Sequence, residues 1–212
     1  MEDVLDVYQR PYNAQRPVVC LDETSKALRE TPRGRLPLKP GQPERQDYEY
    51  DRNGVCNLFM VVEPLYGRRK VRVTDRHTAQ DLAEQLRILV EEDYQKADII
   101  VLVTDNLNTH TPACRYERFE PAQARRIASK LEWHYTPEHG SWLNIAECEL
   151  SVLARQCLNQ RIPDKATLEQ EAAAWEARRN AARFTVDWQF TTSDARIKLK
   201  RLYPVLKEAN EN

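Results

Sequence analysis

The sequence has 212 residues, of which 41% are apolar and 31% are charged, and its formal net charge is −1. This length and composition fit a globular protein that can bury a full core without metal or disulfide staples, and they exclude collagen-like and wholly disordered chains. No run approaches the roughly 20 apolar residues of a membrane-spanning helix, so a membrane span is excluded as well.

The cysteine pattern and the N-terminal residues indicate the cellular compartment in which the protein is expected. Five cysteines are widely spaced and form no C-x-x-C pair, at positions 20, 56, 114, 148 and 157. This pattern argues against a disulfide framework and against a structural zinc knuckle. The start, MEDVLDVYQRPYN, has acids and a proline where a signal peptide has a basic end and an apolar run. We therefore expect a cytoplasmic protein.

Short apolar runs closed by polar residues predict buried strands. After a polar lead, the predicted strands are 18–21, 55–62, 69–74, 99–103 and 131–135. Between the first two, residues 31–50 hold four of the twelve prolines and two of the five glycines, which predicts a loop. The stretch 26–45 is basic.

Helical signals follow the predicted hairpin of the second and third strands. Thr78 and Asp81 resemble a capping box, and apolar residues recur after them at helical spacing. Further helices are predicted at about 122–130, 143–158 and 164–175, and the tail 178–207 is basic. A hairpin joined to strands that are connected through helices predicts an α/β fold with a mixed sheet flanked by helices.

Three acidic residues occupy positions that suggest chemistry. Asp22 follows the first strand, Asp105 follows the fourth, and Glu147 lies in the first turn of the helix after the last strand. If the two strands are neighbours, the aspartates stand side by side and need a cation between them. Oxygen ligands suit Mg²⁺ or Mn²⁺, and a two-ion site supports in-line phosphoryl displacement. The alternative is that each aspartate is a turn or cap residue.

The three acids are embedded in polar motifs, which are LDET at 21–24, TDNLNTH at 104–110 and HGSWLNIAE at 139–147. Together these motifs resemble the catalytic domain of insertion-sequence transposases in the mariner-related DDE superfamily. LDET is similar to the first-aspartate strand, VTDNLNTH to the D-N-x-x-x-H segment, and HGSWLNIAE to the H-x-S-W-L-N-x-x-E motif. The resemblance covers about residues 18–150 and implies an RNase H-like mixed five-stranded sheet flanked by helices.

The resemblance implies catalytic and metal-binding roles for Asp22, Asp105 and Glu147, with two Mg²⁺ or Mn²⁺ ions as cofactors. It also implies a reaction in which water cuts DNA at the element ends and the freed 3′-hydroxyl attacks target DNA, with a TA step as the expected target. Glu149 is a rival for the third acid. Two helical positions differ by about 200° in rotation, so Glu147 and Glu149 cannot both face the same ions.

Polar residues within the motifs are expected to orient the carboxylates or to contact phosphate, and they are Asn106, His110, His139 and Asn144. The alternatives are that Asn144 caps the helix that follows it and that the two histidines bond the backbone of their loops. Basic residues outside the motifs are expected to contact DNA. These residues are Lys26, Arg33, Arg35, Lys39, Lys198, Lys200 and Arg201. A solvated charged face is the simpler alternative for such runs.

We expect an N-terminal arm (1–16), an RNase H-like core (17–160) with a Pro-rich basic loop (31–50), and a basic helical extension packed on the core (161–212). Members of the family usually carry a helix-turn-helix region ahead of the first aspartate, and the 21 residues before Asp22 are too few for one. The expected partners are therefore DNA and either a separate helix-turn-helix-bearing chain or a missing N-terminal region, and the resemblance also allows a homodimer.

Two other functions stay open on the sequence alone. The same acids would serve an RNase H-like nuclease of other purpose, acting on RNA–DNA hybrids or branched DNA. A non-catalytic remnant or companion subunit that only binds DNA is the second alternative.

Overall fold

The computed structural model describes residues 1–32, 35–36, 40–41, 45–46, 49–105, 116, 118–138 and 140–203. The described helices are α1 (Glu2–Tyr8), α2 (Ala79–Ile88), α3 (Pro121–Ser129), α4 (Ile145–Gln156), α5 (Lys165–Ala181) and α6 (Thr192–Lys198). The described strands are β1 (Val18–Glu30), β2 (Arg35–Leu36), β3 (Arg45–Gln46), β4 (Asp51–Glu63), β5 (Arg68–Thr74), β6 (Ile100–Thr104) and β7 (Leu131–Tyr135). A π-helical turn (Leu89–Asp93) extends α2, and 3₁₀ turns cover Ser141–Leu143 and Lys200–Leu202.

Five strands form one mixed sheet in the order β5-β4-β1-β6-β7. The pairs β5–β4 and β4–β1 are antiparallel, whereas β1–β6 and β6–β7 are parallel. The strands β2 and β3 form a separate two-stranded sheet. The predicted α/β fold with a mixed five-stranded sheet flanked by helices is therefore confirmed.

Helices cover both faces of this sheet, because successive strand residues point to opposite sides. Cys20 and Val103 belong to the core on the face that α1, α4 and α5 cover. Leu21 and Leu102 belong to the core on the other face, under α2 and α3. The layers are thus helices, sheet and helices, and α4 is the helix that packs directly over β1 and β4.

The strand β1 is much longer than the predicted run 18–21. Its apolar beginning is buried, but its second half is mostly exposed and continues as an antiparallel ribbon with β4, ending with Glu30 opposite Asp51. Pairing to β4 rather than burial sustains this half, so hydrophobicity did not reveal it. Two predictions are corrected: Asp22 lies within a strand rather than at its end, and the predicted loop 31–50 includes β2 and β3.

The helices follow the predicted order with three additions. Thr78 and Asp81 form the predicted capping box of α2. The helix α5 continues past the predicted end at Trp175 to Ala181, and α6 was not predicted. The helix α1 lies in the polar lead and buries its apolar residues Val4, Leu5 and Val7. No helix in the described part of the chain is long and apolar enough to cross a membrane.

Candidate active site

The register of two parallel strands brings Asp22 and Asp105 together. The strands β1 and β6 pair from Val18 opposite Val101 to Cys20 opposite Val103. The same offset places Asp22 across from Asp105, two residues beyond the last pair, on strands that lie about 4.8 Å apart. Cys20 and Val103 face α4, so alternation directs both aspartates to that face.

Asn144 holds the beginning of α4 against β1. Its side chain is fully buried, and its Oδ1 accepts a hydrogen bond from the Ala146 amide at 3.1 Å, which caps the helix. Its Nδ2 donates to the Leu21 carbonyl oxygen at 2.9 Å. The first turn of α4, which contains Glu147, is thereby fastened to the main chain next to Asp22.

Tyr8 of α1 also holds the beginning of α4 in place. Its hydroxyl donates to the Leu143 carbonyl oxygen at 2.7 Å, just before α4 begins. Burial and the neighbouring Cys20 thiol raise the pKa of Tyr8 well above its ordinary value, so the hydroxyl stays protonated and remains a donor. Sequence analysis did not identify this contact, because it joins residues 135 positions apart.

Asp22, Asp105 and Glu147 line one cleft of about 490 Å³, which is here called the carboxylate cleft. Further polar and charged residues line its walls, and these are Glu23, Thr24, Ser25, Lys26, Ser141 and Ser151. Two sheet strands and one helix thus bring together the three acids that the sequence singled out.

The electrostatics of the cleft favour a bound cation. Burial raises the pKa of Asp22 to about 7, and the nearby charges of Asp105, Glu23 and Glu147 add to this effect. The Glu23 amide donates to Asp22 Oδ1 at 2.9 Å, which acts in the opposite direction. A positive charge in the cleft would favour the ionised form of all three acids.

The donor set fits a hard divalent cation. Three carboxylates supply the oxygen ligands that Mg²⁺ and Mn²⁺ prefer. Glu147 Oε2 is buried and has no hydrogen-bond partner among the described residues, so it is available as a ligand. Within the described part of the chain, no three His, Cys, Asp or Glu side chains are already arranged around one point as a metal site.

Glu149 is engaged elsewhere. Its carboxylate receives paired hydrogen bonds from Arg69 at 2.9 and 3.0 Å and bonds from Arg179 at 2.7 and 3.0 Å. Burial alone would raise the pKa of Glu149, but the two guanidinium groups outweigh it and hold the pKa below the ordinary value. Glu149 does not line the carboxylate cleft, so the geometry favours Glu147 as the third acid.

The other predicted site residues have different positions. Asn106, His110, His139, Arg33 and Lys39 lie outside the described residues, and for Arg35 only its place in β2 is described. Lys26 lines the carboxylate cleft. Lys198, Lys200 and Arg201 lie on α6 and the following 3₁₀ turn, away from the cleft walls, and Lys198 pairs with Asp194 at 3.2 Å.

The sequence pattern of the DDE superfamily endonucleases matches residues 17–169, a span that contains all three cleft acids. The match covers most of the chain, and the chain belongs to this family. The predicted DDE catalytic domain is therefore confirmed at the level of the family. A search of curated proteins returns no match.

Solved structures with a similar fold include three complexes of the Mos1 mariner transposase. The paired-end complex with Mn has a TM-score of 0.57 and 18% identity, covering 85% of this chain and 54% of the other. The paired-end complex with the left transposon end has a TM-score of 0.57 and 16% identity, covering 82% and 51%. The strand transfer complex has a TM-score of 0.53 and 16% identity, covering 82% and 50%.

These structural similarities establish the fold, and the predicted RNase H-like architecture is confirmed. The chain spans about half the length of the Mos1 chains that it matches. Neither the family match nor the structural neighbours favour an RNase H-like nuclease of other purpose or a non-catalytic remnant.

Proposed function

We propose that this chain is the catalytic domain of a DNA transposase that cuts and joins phosphodiester bonds with the help of divalent cations. The observation that carries the proposal is the carboxylate cleft, where Asp22, Asp105 and Glu147 meet within a chain of the DDE endonuclease family. The DNA complexes of the structurally similar Mos1 transposase support DNA as the substrate.

Asp22, Asp105 and Glu147 are the residues that would hold two Mg²⁺ or Mn²⁺ ions. When bound, such ions would neutralise the attacked phosphate and help to generate the attacking oxygen nucleophile. Asp22 has to be ionised to act as a ligand. Its pKa of about 7 leaves part of the Asp22 population protonated near neutral pH, and a positive charge in the cleft would lower this pKa and favour the ionised form.

The reaction consists of two in-line displacements at phosphorus. In the first, a water oxygen bonds to phosphorus and the bond to the 3′ oxygen breaks, which leaves a 3′-hydroxyl and a 5′-phosphate. In the second, that 3′-hydroxyl bonds to a target phosphorus and the target's 3′ oxygen leaves. The protein's contribution is to position the strands and to neutralise charge. Asn144 serves this purpose by fixing Glu147 next to β1.

The proposal also assigns a role to each segment of the chain. Residues 17–160 would form the catalytic core, 1–16 would form an N-terminal arm whose helix α1 packs into that core, and 161–212 would form a basic extension packed on the core. Recognition of the element ends is assigned to a helix-turn-helix region outside these residues, on the same polypeptide or on a partner chain. The proposed assembly is a homodimer.

Strand cleavage under a metal titration tests the proposal. The purified protein is incubated with a labelled duplex that carries the element's terminal repeat and its flank, with Mg²⁺, Mn²⁺ or a chelator. Wild-type protein should cleave only with the divalent ion, and Asp105→Asn should remove cleavage while leaving the fold and DNA binding nearly intact. Normal cleavage by Asp105→Asn would refute the assignment of the site.

A further inference from the structure

A second cleft adjoins the carboxylate cleft. It has a volume of about 440 Å³ and is lined by the end of β1 and by the segment between α4 and α5, including Arg29, Asn159 and Arg161. The two clefts share Lys26 and Leu158 in their linings, so they lie side by side. The second cleft is here called the basic trough, after Lys26, Arg29 and Arg161.

Positive charge is concentrated and held in place along the basic trough. The guanidinium groups of Arg29 and Arg161 lie over the ring of Tyr50, at 4.7 and 5.4 Å from its centroid. Lys26 Nζ donates to the carbonyl oxygens of Leu158 and Gln160. Among the described residues, neither Lys26 nor Arg29 forms an ion pair with a carboxylate. The trough therefore presents positive charge that no described acid neutralises at these two residues.

The basic trough also lies along the direction of β1 from Asp22. A β-strand rises about 3.3 Å per residue, so along β1 Lys26 lies about 13 Å and Arg29 about 23 Å from Asp22. A duplex carries one phosphate per strand for each 3.4 Å of its axis, so the distance of about 23 Å from Asp22 to Arg29 corresponds to about seven nucleotides. A strand whose scissile phosphate lies at Asp22 can follow β1 directly into the trough.

We propose that the basic trough binds the sugar-phosphate backbone of the DNA arm that leads away from the scissile phosphate, with Arg29 and Arg161 as its phosphate contacts. This inference rests on the proposed function, because it takes the carboxylate cleft as the place of cleavage. Guanidinium groups that are planar and already held by stacking lose little freedom when they contact a phosphate. Such contacts position a strand without reading its bases.

Binding measurements with paired charge variants test this proposal. Affinity is measured by fluorescence anisotropy across a salt series, with Ca²⁺ in place of Mg²⁺ so that no cleavage occurs. The double variant Arg29→Gln/Arg161→Gln should bind a long duplex at least about tenfold more weakly. Its salt dependence should fall by about one unit of logarithmic slope for each lost phosphate contact. An affinity within twofold of wild type with an unchanged slope would overturn the proposal.

The control is Arg125→Gln, which removes one positive charge from an exposed position on α3 and is compared with the single variants Arg29→Gln and Arg161→Gln. This helix covers the opposite face of the sheet from α4, so the control should leave both affinity and slope unchanged. An equal loss with Arg125→Gln would show that only overall charge matters and would contradict a localised trough.

Charge-preserving variants separate phosphate binding from a structural role of the stack on Tyr50. Arg29→Lys/Arg161→Lys should keep the wild-type salt slope, whereas a stack that merely stabilises the fold would be disrupted by Lys and Gln alike. On duplexes trimmed stepwise from each end, the difference between wild type and the Gln double variant should vanish when one arm falls below about seven nucleotides. A difference that persists at every length would contradict the proposed location.

The two proposals can fail separately. Full cleavage by Asp105→Asn would remove the proposed function and leave the binding result standing. An inactive Asp105→Asn together with wild-type DNA affinity of the Arg29→Gln/Arg161→Gln variant would refute only the proposed role of the basic trough.

Discussion

Glu147 and Glu149 lie two residues apart on α4, and their surroundings are opposite. Glu147 faces the carboxylate cleft among other acids and has a buried oxygen without a hydrogen-bond partner among the described residues. Glu149 faces Arg69 and Arg179, and both of its oxygens accept hydrogen bonds from them. About half a turn of helix thus separates Glu147, which has no cationic partner among the described residues, from Glu149, which is paired with two arginines.

The difference shows how this domain keeps an acidic cleft in place. Burial of the Asp22 carboxylate, and in second place repulsion from the neighbouring acids, work against the folded state, as the raised pKa of Asp22 indicates. The ion pairs of Glu149 tie α4 to β5 through Arg69 and to α5 through Arg179. Arg69 also donates to the Phe184 carbonyl oxygen and exchanges main-chain hydrogen bonds with the Asn180 side chain. The network around Glu149 therefore holds the helix that carries Glu147.

The largest effect on stability is expected from Arg69→Met. The Arg69 side chain is fully buried, and its removal leaves the Glu149 carboxylate with Arg179 as its remaining cationic partner. Breaking a buried ion pair in this way costs about 3–5 kcal/mol. Urea unfolding of the variant beside wild type measures the loss. A change below about 1 kcal/mol would contradict a structural role for this network.

An intermediate effect, with a distinctive pH dependence, is expected from Asp22→Asn in the absence of divalent ions. Burial and neighbouring acids raise the pKa of Asp22 from 3.8 to about 7. Between these pH values the folded state keeps a proton that the unfolded state has lost, so wild-type stability falls as pH rises through this window. Asparagine does not ionise, and the variant should gain on the order of 4 kcal/mol over wild type by pH 8.

Thermal unfolding of both proteins from pH 4 to pH 8, in a chelator, checks this prediction. The difference in stability should grow with pH and level off above pH 7. Adding Mg²⁺ at pH 8 should stabilise wild type and have little effect on Asp22→Asn. A stability difference that is flat across the pH range would mean that burial and the neighbouring acids do not raise the pKa of Asp22.

A smaller effect on stability is expected at Asn144, where the two regions meet. Asn144→Ser keeps an N-cap oxygen for α4 but loses the donor to the Leu21 carbonyl, at about 1 kcal/mol. Asn144→Ala loses both contacts, at about 2 kcal/mol. Both variants should cleave DNA more slowly than their stability loss explains, since Glu147 is no longer fixed beside β1. Wild-type cleavage by folded Asn144→Ser would show that the tie to Leu21 is dispensable.

Sequence patterns predicted the part of this molecule that depends on local order. The apolar runs of β6 and β7, the capping box of α2 and the start of α5 were readable because burial and capping leave signatures in neighbouring residues. The three acids were found because each lies in a polar motif next to such an element. The second half of β1 was missed, because its pairing with β4 has no apolar pattern.

Long-range polar contacts could not be predicted from the sequence. The partners of Glu149 come from β5 and α5, 80 and 30 positions away, and nothing local marks Arg69 or Arg179 as its counterions. The tie from Asn144 to Leu21 spans 123 positions. Helical rotation established that Glu147 and Glu149 face different directions, but only the packed structure shows which of them faces the cleft.

The most direct test of the central claim is a side-by-side measurement of Glu147→Gln and Glu149→Gln, recording metal-dependent cleavage and unfolding free energy for each. We predict that Glu147→Gln loses at least about a thousandfold in cleavage rate, as expected for a lost metal ligand, with its stability within about 1 kcal/mol of wild type. Glu149→Gln should lose about 3 kcal/mol of stability yet keep cleavage within about tenfold while folded. The reverse pattern, with an inactive Glu149→Gln and an active Glu147→Gln, would contradict the account.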